Sequence, residues 1–136
     1  ELRHPEWFLD EKLRRELFNT LYQLKIGAVI TDTAGRRECA HMHLTIPKAF
    51  IRYVGNNMHP TDYVCIDAWV ERIKLWLENG LQQLFFIMHM EDELCAPEMT
   101  VYMADRLKAV VGIDVKKPTF GSKHELPRGG QISFFD

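Results

Sequence analysis

The stretch Ala49-Phe50-Ile51-Arg52-Tyr53-Val54-Gly55-Asn56-Asn57 constrains the fold more than any other part of the chain. Phe50, Ile51, Tyr53 and Val54 put apolar groups on both sides of an extended backbone. That is the pattern of a parallel strand covered on both faces. Arg52 sits in its middle, where a guanidinium is costly unless it meets an acid or an anionic ligand. Gly-Asn-Asn then ends the strand in a loop. A domain built around such a strand needs neighbouring strands, helices to cover them, and a partner for the charge.

The flanking chain supplies those elements. Glu1-Leu2-Arg3 reads as the end of a strand that begins upstream. His4 to Phe8 is expected to be a loop, because Pro5 opposes regular structure. Asp10 is a suitable N-cap for a helix from Glu11 to about Leu24. Leu13, Leu17, Leu21 and Leu24 form its apolar stripe and Phe18 widens it. Ala28 to Asp32 is a short apolar strand, followed by a polar turn over Thr33 to Arg37. Glu38 to Pro47 has no clear period and is expected to be a short extension before the central strand. A loop covers His59 to Asp62. Trp69, Val70, Ile73, Trp76 and Leu77 share one face of a helix over Asp67 to Glu78. Leu84 to Met88 is a further strand closing on His89. Pro97 fits the first turn of a last helix, with Met99, Tyr102, Met103, Leu107 and Val110 inward.

This alternation predicts an α/β fold with a parallel-stranded sheet and right-handed crossovers. Strands at this spacing fit a small open sheet or half of a (β/α)8 barrel, whose full form needs about 250 residues. The apparent loss of the first strand's beginning favours the half-barrel, the C-terminal half of a TIM-like barrel with its last four β/α units. Residues 1–112 are expected to form that half-barrel. Residues 113–136 are expected to form an extended C-terminal tail, because the apolar period stops and Pro and Gly recur.

Composition enters by exclusion. A formal net charge of −2 gives no global field for nucleic acid. No apolar run approaches the roughly 20 residues of a membrane span, so no membrane partner is expected. The opening residues lack the basic and apolar regions of a signal peptide. They also lack an initiator Met, so the chain is expected to be a fragment or a processed piece. Cys39, Cys65 and Cys95 are odd in number, far apart and without a CxxC pattern, which predicts a reducing, cytoplasmic location. Cys39, His41 and His43 alternate as zinc ligands could, but a fourth ligand is missing and no metal is expected. There is no Gly-rich phosphate loop, and the cofactor stays unknown.

Alternation along strands groups the remaining charged residues. Glu1 and Arg3 share a face, and so do Ile30 and Asp32, and Ile87 and His89. Charges should turn away from the helix-covered side toward the C-terminal mouth, where barrels build their sites. This expectation gathers Glu1, Arg3, Asp32, Arg52 and His89 in one region, with His4 at its rim. Two readings stay open. Glu1 or Asp32 can neutralise Arg3 and Arg52 in an internal network. Alternatively, Arg3 and Arg52 bind a phosphate or carboxylate through paired donors. His4 or His89 would then move a proton, with Glu1 or Asp32 orienting it. Trp69 and Trp76 are expected in the core.

Glu1 to Phe8, Ile30-Thr31-Asp32-Thr33, Phe50 to Asn56, Trp69 to Ile73, and Phe85 to His89 with Ala96-Pro97 follow the order seen in the YecE-like family. The chain resembles that family over roughly Glu1 to Leu107, and Glu-x-Arg-His-Pro-x-Trp is the most specific piece. The family consists of (β/α)8 barrels without an assigned biochemical function. The resemblance implies that this chain holds the last four units and that the first four lie upstream. The chain departs from the family at His89-Met90, where Asn-Asn is usual. It departs again at Arg52-Tyr53-Val54-Gly55, where Arg-x-His-Gly is frequent.

The tail carries Gln131-Ile132-Ser133-Phe134-Phe135 after a Pro/Gly-rich spacer. It resembles the short motif by which bacterial DNA-processing proteins dock on the replication sliding clamp. Ile132, Phe134 and Phe135 can fill an apolar groove while Gln131 bonds at its rim and the spacer gives reach. The same residues can instead fold back onto the barrel. Two functions therefore compete: an enzyme of unnamed reaction with an anion pocket, and a non-enzymatic adaptor that docks on the DNA sliding clamp. The expected partners are the N-terminal half of the same barrel or a second copy of the chain, a small anionic ligand, and the clamp.

Overall fold

The computed structural model describes residues 1–120. A parallel sheet of three strands forms its centre, in the order β1 (Val29–Thr33), β2 (Lys48–Val54), β3 (Gln83–His89). The strand containing Arg52 is the middle one, as its apolar residues on both sides require. One face carries Ile30, Ala49, Ile51 and Tyr53, all buried, with Leu84, Phe86 and Met88 beside them. Two helices, α3 (Pro60–Glu78) and α4 (Ala96–Val111), contribute Ile66, Trp69, Val70, Ile73, Met99, Met103 and Leu107 to the same core. Removing this apolar surface from water is the main force holding helices to sheet.

The N-terminal part forms a second, smaller cluster. The short helix α1 (Glu6–Leu9) stands where a loop was expected, with Pro5 as its N-cap. Helix α2 (Glu11–Gln23) starts as its sequence predicts, with the Asp10 carboxylate accepting from the Leu13 N–H at 2.9 Å. Phe8 and Phe18 pack with Cys39, Leu2 and Leu21.

Three local differences from the sequence expectation have identifiable causes. Helix α3 begins at Pro60, not near Asp67. Proline suits the first turn because its missing N–H has no intrahelical partner there. The His59 ring accepts from the Thr61 N–H, and the buried Asp62 carboxylate takes the Asn56 N–H and the Tyr53 hydroxyl. The crossover from β1 to β2 contains no α-helix. After a 3₁₀ turn at Arg37–Cys39 it is irregular and keeps a period of two. Ala40, Met42 and Leu44 pack on the main core, while the His41 and His43 rings lie against Phe18, with His41 also stacked on Phe8. Finally, Glu1–Arg3 stay outside the strand ladder. They nevertheless touch β1 and the turn after it: the Thr31 hydroxyl donates to Glu1 at 2.9 Å, and Arg36 Nη2 donates to the Arg3 carbonyl at 2.6 Å.

The second face of the sheet has no helix over it among the described residues. Phe50, Phe85 and Ile87 are 40%, 49% and 39% exposed there, and the two phenyl rings stack with centroids 5.8 Å apart. At the far end, Gly112 takes the left-handed conformation (φ 78°) and its N–H closes α4 on the Lys108 carbonyl. Lys108 then pairs with Asp114, and Lys117 with Asp105. No helix among the described residues is long and apolar enough to cross a membrane. The segment Gln131–Phe135 lies outside the described residues.

Candidate functional site

Strand register sets up the uncovered face row by row. Thr31, Arg52 and Ile87 are aligned across the sheet, with Val29, Phe50 and Phe85 two residues below and Thr33, Val54 and His89 two residues above. Arg52 is the single cation that the three strands project from this row, with an apolar row below it and His89 in the row above. Glu1 reaches into the same row from the segment beside β1. Its Oε1 accepts from Arg3 Nε at 2.7 Å and from the Thr31 hydroxyl at 2.9 Å, and lies 3.6 Å from Arg52 Nη1. The Arg3 bond, with the Thr31 bond and the charges of Arg3 and Arg52, holds the Glu1 carboxyl below the usual carboxylate range despite some desolvation.

One carboxylate thus serves two guanidiniums. The group keeps a surplus positive charge, and the Arg52 side chain is 31% exposed with only a long contact to Glu1. A guanidinium offers five N–H donors in a planar fork, so the one long contact to Glu1 leaves most of its capacity unused among the described residues. The internal-network reading therefore holds in part, since Glu1 is shared but does not saturate Arg52.

Asp32 does not join this group. It is in register with Tyr53, which puts it on the helix-covered face, 3% exposed. There its Oδ2 accepts from the Trp69 indole N–H at 2.8 Å, and its Oδ1 lies 3.3 Å from Arg37 Nε. The expectation that strand charges turn away from the helices fails here because Trp69 and Arg37 satisfy the carboxylate under the helix. Trp69 is in the core as expected, and it also donates.

His89 shares the face of Arg52 one row above, and its Nδ1 lies 3.2 Å from Glu93 Oε1. His4 sits at the rim, exposed, with its Nδ1 3.8 Å from Glu6 Oε2. Neither histidine contacts Arg3 or Arg52 in a hydrogen bond or ion pair among the described residues. Thr31, Glu93 and Arg37 are the residues that sequence reasoning missed. No local signal marks Thr31, because its alignment with Arg52 is set by the register between strands. Glu93 and Arg37 come from turns, where alternation says nothing. Cys39, His41 and His43 do not converge. Among the described residues no group of three or more His, Cys, Asp or Glu is placed to hold a metal ion.

The model of a family described as "Protein of unknown function DUF72" matches residues 1–122. No curated protein and no solved structure matches the chain.

Proposed function

The chain belongs to the DUF72 family of proteins of unknown function, and from that premise we propose that it is the C-terminal half of a (β/α)8 barrel whose mouth binds a small phosphate or carboxylate. The observation that carries the anion site is Arg52. Its fork stands on the open face, touches one carboxylate oxygen at 3.6 Å, and shares that oxygen with Arg3 and Thr31. A bound anion would supply the bidentate partner that Glu1 does not. His89, oriented by Glu93, is the residue suited to move a proton on such a ligand, and Glu1 fixes the two arginines. The barrel reading is supported by the apolar uncovered face and by Glu1–Arg3 lying beside β1 where a fourth strand would run. It is supported also by the resemblance to YecE-like barrels. The first half of the same barrel, or a second copy, would cover Phe50, Phe85 and Ile87. The free thiols of Cys39, Cys65 and Cys95 suit a cytoplasmic setting.

The test is calorimetric titration of inorganic phosphate and of succinate into the protein that carries this chain, native and Arg52→Met. Binding by the native protein and its loss in the variant are expected. Equal binding by both, or none by the native protein, assigns Arg52 a purely structural role.

A second reading rests on Gln131-Ile132-Ser133-Phe134-Phe135. Its order of polar, aliphatic and aromatic groups suits an anchor on the DNA sliding clamp, which would make the protein an adaptor. A peptide covering Gly129 to Asp136 should bind the clamp and lose binding when Gln131 and Phe135 become Ala. Equal binding by both peptides, or none, removes this reading.

A further inference from the structure

A cavity of about 300 Å³ opens on the other side of the sheet, between α3 and the β1–β2 crossover. It exists because that crossover has no helix to pack against the flank of α3. Cys65, Trp69 and Arg72 follow one another at helical spacing along this flank and line the cavity with Asp32, Arg37 and Met42. All of these elements lie within the described residues, so the cavity does not depend on what covers the open face.

The charges in this cavity do not cancel. Asp32 is fully engaged by Trp69 and Arg37. Arg37 spends Nε on Asp32 and Nη2 on the Cys65 sulfur at 3.0 Å, which leaves its Nη1 donors. Arg72 forms no ion pair among the described residues. Two guanidiniums against one carboxylate leave a surplus positive charge on a concave surface with an apolar wall at Met42. We propose that this cavity is a second ligand site, for a small organic carboxylate whose head meets Arg37 and Arg72 and whose carbon skeleton lies on Met42. The site stands apart from the Arg52 group, on the opposite face of the sheet.

Cys65 provides a reporter at the cavity wall. In its thiolate form the sulfur attacks the methylene carbon of iodoacetate or iodoacetamide. A C–S bond forms, the C–I bond breaks, and iodide leaves. The two reagents differ in charge and scarcely in size. The ratio of their rates at Cys65, resolved by mass spectrometry, therefore reads whether the cavity favours a carboxylate. Relative to the same chain unfolded in urea, the native ratio of iodoacetate to iodoacetamide should rise about fivefold, the effect of one unit charge at contact distance in water. Arg72 is exposed, so Arg72→Met should fold, and it should return the ratio toward the unfolded value. Arg72→Lys should retain most of the rise. A native ratio equal to the unfolded one, a ratio untouched by Arg72→Met, or a Cys65 that neither reagent modifies would each overturn the proposal.

Discussion

Asp32 and Arg52 stand on neighbouring strands, and their fates show that a charged residue goes where its partners are. Thr31 and not Asp32 is in register with Arg52, so a single step in phase sends the carboxylate under α3. There the Trp69 N–H, itself buried, needs an acceptor and finds one. A histidine tells the same story through its proton. His41 is packed on Phe8 and Phe18, with its Nε2 3.3 Å from the Val29 carbonyl. Burial pushes its pKa down to about 4, outweighing the bond to Val29, and His43 adds to the lowering. A depressed folded-state value means that the unfolded chain takes up the proton first. The stability concerned is therefore complete above the ordinary value near 6.5 and is lost as pH falls toward 4, a difference of about 3 kcal/mol. Urea titrations at neutral pH and near pH 4 should show this loss, and His41→Phe should remove most of it. An identical acid dependence in the variant would assign the loss to other groups.

At the scale of elements, β2 and its exit loop carry the tightest packing constraint. Gly55 follows the strand and donates its N–H to the His89 carbonyl at 2.9 Å. A Cβ there would fall 2.6 Å from Met90 Sδ and 3.0 Å from the Tyr53 ring. Met90 is flexible but buried, and Tyr53 is buried and held by the Asp62 carboxylate. Neither can withdraw without disturbing the ends of both strands. Gly55→Ala should therefore cost about 1–3 kcal/mol, the usual range for overpacking. A lower urea midpoint at unchanged slope is the expected result. An unchanged midpoint would mean that Met90 repacks freely. The crossover before β2 behaves differently. It covers one edge of the core without a helix, and the cavity beside Cys65 is the consequence.

For the whole molecule, the deciding feature is a sheet that, among the described residues, is covered on one face only. Phe50, Phe85 and Ile87 form an apolar surface beside a charged group, the kind of surface that proteins cover with another part or another copy. The 136-residue chain alone should bind a hydrophobic dye and self-associate in light scattering. Phe85→Ser should weaken both effects. A stable monomer without dye binding would show that this face tolerates water and would remove the main support for barrel completion.

The residue order alone determined the parallel α/β pattern, the central position of the Arg52 strand, the Asp10 cap and the apolar faces of α3 and α4, because these follow from local periodicity and local hydrogen bonding. Of the apolar residues expected along α2, by contrast, only Phe18 is buried, and Leu13 and Leu24 are exposed. The residue order also grouped Glu1 and Arg3 with Arg52, although Glu1–Arg3 stay outside the strand ladder and are joined to the group by the contacts of Glu1 with Arg3, Thr31 and Arg52. Which face Asp32 joins was decided by tertiary structure, through the register between strands and the reach of the Trp69 indole across a helix. The start of α3 at Pro60 had a local signal in the proline of its first turn, whereas the anchoring of that turn through Asp62 to the Asn56 N–H and the Tyr53 hydroxyl belongs to the tertiary structure. The irregular crossover is stable because two clusters take alternate side chains from it, His41 and His43 on one side, Met42 and Leu44 on the other. The cavity between Arg37 and Arg72 arises only where a strand, a turn and a helix meet.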